Sequence, residues 1–101
     1  MIKKNYTWYW NDGDATYTNK AYSLENIIEA IIKYYFHGET RFVFVDLREN
    51  DETGDKFHIH FVENDITHEY HIGTNPNDVA QFLADFAKEC NRADTFEIEK
   101  I

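Results

Sequence analysis

Between Phe57 and Ile72 the chain alternates apolar and polar positions along two consecutive stretches. Phe57, Ile59 and Phe61 interleave with His58, His60 and Val62, the two-residue period of a strand with one buried face. Asn64 and Asp65 follow Glu63, and both residue types tolerate the positive φ of a two-residue hairpin turn. With that turn, Glu63 faces Ile66, Phe61 faces His68, His60 faces Glu69, Ile59 faces Tyr70 and His58 faces His71. One face then carries Phe57, Ile59, Phe61, Tyr70 and Ile72 and is expected against a core. The other carries His58, His60, Val62, Glu69 and His71, and is expected to look toward water, a partner or a metal. A slip of one residue would exchange the two faces, so the pattern specifies the register strongly.

Upstream, Tyr6–Trp10 and Ala15–Thr18 flank Asn11-Asp12-Gly13-Asp14, and Asp-Gly predicts a tight hairpin. With Asp12 and Gly13 as the turn, Trp8 faces Tyr17, and Tyr6 and Trp10 share their side. Thr7, Tyr9, Thr16 and Thr18 take the other, solvated side. Ser23 is a good N-cap for a helix over Leu24–His37, with Leu24, Ile27, Ile28, Ile31, Ile32 and Tyr35 at helical spacing and Gly38 as its stop.

Arg41–Leu47 is apolar on both sides, Phe42 and Phe44 on one and Val43, Val45 and Leu47 on the other. That predicts a central or doubly covered strand. Arg48–Lys56 reads as a polar loop. Asn75, Pro76 and Asp78 open a second helix whose buried stripe is Val79, Phe82, Leu83, Phe86 and Cys90. Thr95–Ile101 alternates as a last edge strand.

The order is therefore ββ-α-βββ-α-β, an α+β fold with an antiparallel sheet and both helices on one face. The aromatic hairpin is expected to fold across the opposite face of the Phe42–Leu47 strand, because an apolar side left open there would mark an interaction patch. The segment Ser23–Asn91, α-β-β-β-α, resembles double-stranded-RNA-binding domains in element order. Those domains carry lysines at the start of the second helix. Here that turn is Asn75-Pro76-Asn77-Asp78, whose acid would repel phosphate, so RNA binding is not implied.

Length and charge narrow the function. A chain of 101 residues supports one domain, and 43% hydrophobic with 17% aromatic residues supports a packed core. The net charge of −9 disfavours direct contact with nucleic acid or an anionic membrane and favours a basic partner surface. Cys90 is the only cysteine, which excludes an internal disulfide and a thiolate zinc site. The start MIKKNYTWYW has no apolar run after its lysines, so no signal peptide is expected and the location is taken as cytoplasmic.

Two groups of residues carry candidate chemistry. His58, His60 and His71 with Glu69 sit close enough across a hairpin to converge on zinc or iron. A His-x-His strand with a third histidine beside it resembles the metal arrangement of carbonic anhydrases and cupins, although neither family's flanking motifs are present. The second group is Glu49, Asp51, Glu52 and Asp55, an acidic patch that could occupy phosphate positions in a basic groove. Nucleophilic catalysis has little support, since the only serine, Ser23, is committed to a helix cap.

No cofactor and no enzyme activity are expected, and the chain is read as a monomer or homodimer. In size, charge and lack of an enzyme motif it is similar to phage-encoded inhibitors of bacterial defence, anti-CRISPR proteins among them, and to immunity proteins. The likeness is one of type, without a shared motif. It implies a protein inhibitor of a basic, nucleic-acid-handling target. The alternative is a metal-binding module or metal-dependent enzyme built on the histidine face.

Overall fold

The computed structural model describes residues 3–36, 40–51 and 54–101, without the side chains of residues 40–44 and 48–51. Its elements follow in the order β1 (Tyr6–Asn11), β2 (Thr16–Ala21), α1 (Leu24–Phe36), β3 (Thr40–Asp51), β4 (Gly54–Glu63), β5 (Ile66–Ile72), α2 (Pro76–Glu89) and β6 (Thr95–Lys100). This is the expected α+β class and order. The strands divide between two antiparallel sheets, β2-β1-β6 and β3-β4-β5.

The β4–β5 hairpin has the register its pattern predicts, from Glu63 opposite Ile66 to His58 opposite His71. Asn64 and Asp65 both take positive φ, 49° and 65°, the backbone of a turn whose twist matches that of the strands. Phe57, Ile59 and Phe61 are buried. Local chemistry also fixes the helix starts. Ser23 Oγ accepts from the Asn26 amide, and Asn75 Oδ1 accepts from the Asp78 amide at 2.9 Å. Pro76 fills the first position of α2, where no amide proton is needed. The expected helix end at His37 and Gly38 lies outside the described residues.

The first hairpin corrects its sequence reading. Trp10, not Trp8, pairs with Tyr17, and Trp8 pairs with Asn19. The connection is four residues, Asp12–Ala15, because Asp12 Oδ1 accepts from the Asp14 and Ala15 amides at 2.9 and 3.0 Å. A two-residue turn would leave that carboxylate unused. The shift is even, so Trp8 and Trp10 keep their face and only their partners change.

Two further expectations fail in the middle of the chain. The apolar run Arg41–Leu47 belongs to an edge strand rather than a central one, since β4 is the middle of its sheet. Leu47, on the side that faces the helices, is 49% exposed, so helical cover ends there. The polar stretch Arg48–Lys56 is no loop: Arg48 pairs with Lys56 and Asp51 with Gly54, with a register irregularity between them. Backbone pairing can continue through polar residues because the ladder is made by main-chain groups.

The hairpin also docks elsewhere than expected. α1 touches β3 and β2, α2 touches β5 and β6, and the helices touch each other. The helices therefore form a middle layer with a sheet on either side. Tyr6, Trp8 and Trp10 alternate on one face of β1, opposite Phe96 and Ile98 of β6, and that face packs on the helices. Covering the outer side of β3-β4-β5 would have buried the exposed Glu69 and His71 and the half-buried His60, on a face where His58 is already buried. Ionisable groups resist that, while the far side of α1 offers Ala30, Ile31 and Tyr34. Being covered from both sides is what buries Leu24, Ile27, Ile28, Ile31 and Ile32 together.

One buried polar group binds the layers. Asp94, 4% exposed, precedes β6. Its Oδ2 accepts from Trp10 Nε1 at 2.7 Å and from the Tyr35 hydroxyl at 2.6 Å. Its Oδ1 lies 3.4 Å from Arg92 Nε. Burial and the Asp94 bond both push the Tyr35 hydroxyl pKa well above its ordinary value.

Asp94→Ala is expected to cost roughly 3 kcal/mol in urea unfolding, since it leaves two donors without their acceptor. Tyr35→Phe removes a donor together with its demand and is expected to cost only about 1 kcal/mol. Equal losses for the two variants would contradict this account. At the first hairpin, the Ala15 and Asp14 amides hold the Asp12 carboxyl below its ordinary range. Its contribution to the turn is therefore present above the unfolded carboxyl value, about 3.9, and fades as pH falls through the lowered one. Carbon-13 titration of Asp12 is expected to give a midpoint below that of a free aspartate.

Candidate functional site

The histidine face lies on the outer side of β3-β4-β5, where the sheet's alternation puts it. His58, on the central strand, pairs with Asp46 of β3 on one side and His71 of β5 on the other. It is only 7% exposed, with Asp46 and His71 beside it in the ladder. The His58 and His71 rings lie 4.2 Å apart. His71 Nε2 donates to Glu69 Oε1 at 3.1 Å, and this bond, with the nearby histidines, lowers the Glu69 carboxyl pKa. Glu69 thus bonds to its same-strand neighbour, although the ladder sets it opposite His60.

The four residues of the histidine reading share one face of the sheet. Among the described residues, no three His, Cys, Asp or Glu side chains converge to hold an ion. Ring packing between His58 and His71 and the His71–Glu69 bond account for three of the four. His68 faces the other way: it stacks on Phe61 at 4.8 Å, with Nε2 3.7 Å from Glu63 Oε1.

The acidic group Glu49, Asp51, Glu52 and Asp55 lies along the β3–β4 ribbon. Glu49 and Asp51 are on β3, Asp55 is exposed at the start of β4, and Glu52 lies outside the described residues. β3 has 12 residues and β4 has 10, the longest strands described. Cys90 follows α2 half-buried, and burial raises its thiol pKa, which suits a packing residue rather than a nucleophile.

A third feature was not legible in advance. Between edge strand β2 and helix α1 runs a hollow of about 580 Å³ lined by Trp10, Tyr17 and Tyr34, with Trp8, Ala30 and Ile31 beneath. The Trp10 and Tyr34 rings meet edge to face at 4.4 Å, and Trp10 and Tyr17 lie 5.4 Å apart. Tyr17 is 46% exposed at the rim. Tyr17 follows the Asp12–Ala15 connection closely, and the charge of Asp12, and then its hydrogen bond, raise the Tyr17 hydroxyl pKa. The two tryptophans were a signal in the sequence, but Tyr34 reaches them only through the docking of α1.

No protein-family model, characterised protein or solved structure matches this chain. Among the described residues, no helix is long and apolar enough to cross a membrane. Function must therefore be argued from the sites themselves.

Zinc added to chelator-treated protein is expected to leave its melting temperature unchanged, because the histidine face makes no convergent set. A rise in melting temperature that disappears in His71→Ala would show that the face rearranges around an ion.

Proposed function

We propose that this chain is a small acidic binding protein that inhibits a larger, basic, nucleic-acid-handling protein. The observation that carries the reading is the charge: −9 on 101 residues. Exposed carboxylates are spread over several elements, with Asp14 at the first hairpin, Asp55 on β4, Asp78, Asp85 and Glu89 on α2, and Glu97 and Glu99 on β6. Carboxylates on a rigid small domain can stand where phosphates would sit in a basic groove. Such a surface also steers association and makes it sensitive to salt.

The long β3–β4 ribbon supports a specific edge for this contact. Asp51 ends β3 and Asp55 lies at the start of β4, so both stand at one end of the ribbon, where a partner can approach without disturbing the core. An anti-defence inhibitor or an immunity protein is the type of molecule this describes.

The test is capture of partners from a bacterial lysate by the immobilised chain, followed by inhibition assays on the captured protein. Partners are expected to be basic, to elute with moderate salt, and to be lost when Asp51, Glu52 and Asp55 are all changed to lysine. Circular dichroism should show that the triple variant keeps its fold. If it captures and inhibits with unchanged salt dependence, the acidic ribbon serves solubility alone.

A further inference from the structure

We propose that the hollow between β2 and α1 is an aromatic clamp for an arginine side chain of the partner. This deepens the proposed function and rests on it, since a basic partner supplies the arginine. Trp10, Tyr17 and Tyr34 line the hollow. Aromatic faces attract cations through their quadrupole, and a planar guanidinium also stacks on them. The protein already uses this pairing beside the hollow. The Arg92 guanidinium lies 5.4 Å from the centre of the Tyr34 ring and 5.2 Å from that of Tyr35. Its charge is matched by Asp94, so it leaves no excess positive charge to repel a second cation.

Charge gives the hollow a direction. The Tyr17 end adjoins the Asp12–Ala15 connection, which carries the Asp12 and Asp14 carboxylates. At the other end, an adjoining hollow of about 400 Å³ shares Trp8, Asn19 and Ala30 and is bordered by Lys4 and Lys20. Lys4 Nζ there lies 5.5 Å from the centre of the Tyr22 ring, so that end holds its own cations. An incoming guanidinium is drawn to the Asp12 end and turned away from the lysine end. A neutral or acidic side chain has no such preference. The hollow is also open enough at Tyr17 for a side chain to enter without unfolding the sheet.

The experiment titrates the nitrogen-15-labelled full chain with acetyl-Gly-Arg-Gly-amide and with the same peptide carrying citrulline, which keeps the shape without the charge. The Trp10 Nε1–H resonance, fixed by its bond to Asp94, reports on a ring that lines the hollow. The arginine peptide is expected to shift it saturably, together with the amides of Tyr17, Ala30 and Ile31. The citrulline peptide should bind about tenfold more weakly or worse. Tyr17→Ala should weaken arginine binding about fivefold or more, whereas Tyr17→Phe keeps the ring and most of the affinity. Asp12→Asn keeps the oxygen that accepts from Asp14 and Ala15 and should weaken binding through lost charge alone.

Equal binding of the two peptides, no effect of Tyr17→Ala, no saturable shift, or shifts centred on Glu97 and Glu99 instead would each overturn the clamp. A spectrum otherwise unchanged in each variant shows that the fold is retained. The result does not depend on identifying a partner. Failure here removes the anchor and leaves the acidic-surface reading to the charge-reversal test, while failure of that test with intact arginine binding removes the ribbon interface and keeps the clamp.

Discussion

The Asp94 carboxylate is the polar constraint on which the arrangement of layers depends. Most of what joins the first sheet to the helices is apolar and non-directional, and such contacts tolerate sliding. Asp94 removes that freedom by accepting from Trp10 of β1 and Tyr35 of α1 while Arg92 stands beside it. Three parts of the chain far apart in sequence are thereby set at one distance. A buried carboxylate short of donors would be costly, so the network holds only when all of its partners are in place. It also brings Tyr34, the neighbour of Tyr35 on α1, against Trp10, while the β1–β2 ladder places Tyr17.

The second constraint is where charge is allowed to go. β3-β4-β5 buries Phe57, Ile59 and Phe61 on one side and turns a row of histidines and Glu69 outward. Leaving that outer side uncovered spares the desolvation of several ionisable groups. The aromatic hairpin consequently finds its cover on the opposite side of the helices. An apparent excess of apolar surface on β3 is thus resolved partly by its position at an edge and partly by the end of helical cover at Leu47. The side chains of Phe42 and Phe44, on which the other part of that expectation rested, are outside those described.

Both constraints bear on function. In the proposed function a surface rich in carboxylates would steer association with a basic partner, but spread charge alone gives little discrimination. A groove of oriented aromatic rings with a carboxylate at one end adds a point of register. The two features are separable, since one lies at a ribbon end and the other beside β2 and α1.

Local pattern alone determined a good deal. The period-2 alternation and Asn64-Asp65 set the β4–β5 register residue by residue, because a slip would put His58 and His60 into the core. Ser23 and Asn75 marked the helix starts, because a cap is a bond between neighbours in sequence. The faces of Trp8 and Trp10 were legible, yet their partners were not. The Asp12 carboxylate chose a four-residue connection, and an even shift leaves no trace in the alternation. The histidine face was likewise legible as a face, but how its side chains arrange depends on the ring packing of His58 and His71 and on the bond of Glu69 to His71. Only the tertiary structure decided that six strands form two sheets, that the helices lie between them, and that Tyr34 and Asp94 meet Trp10. Those outcomes rest on contacts between distant residues, whose geometry is set by the competition among apolar faces for cover and by the cost of burying charge.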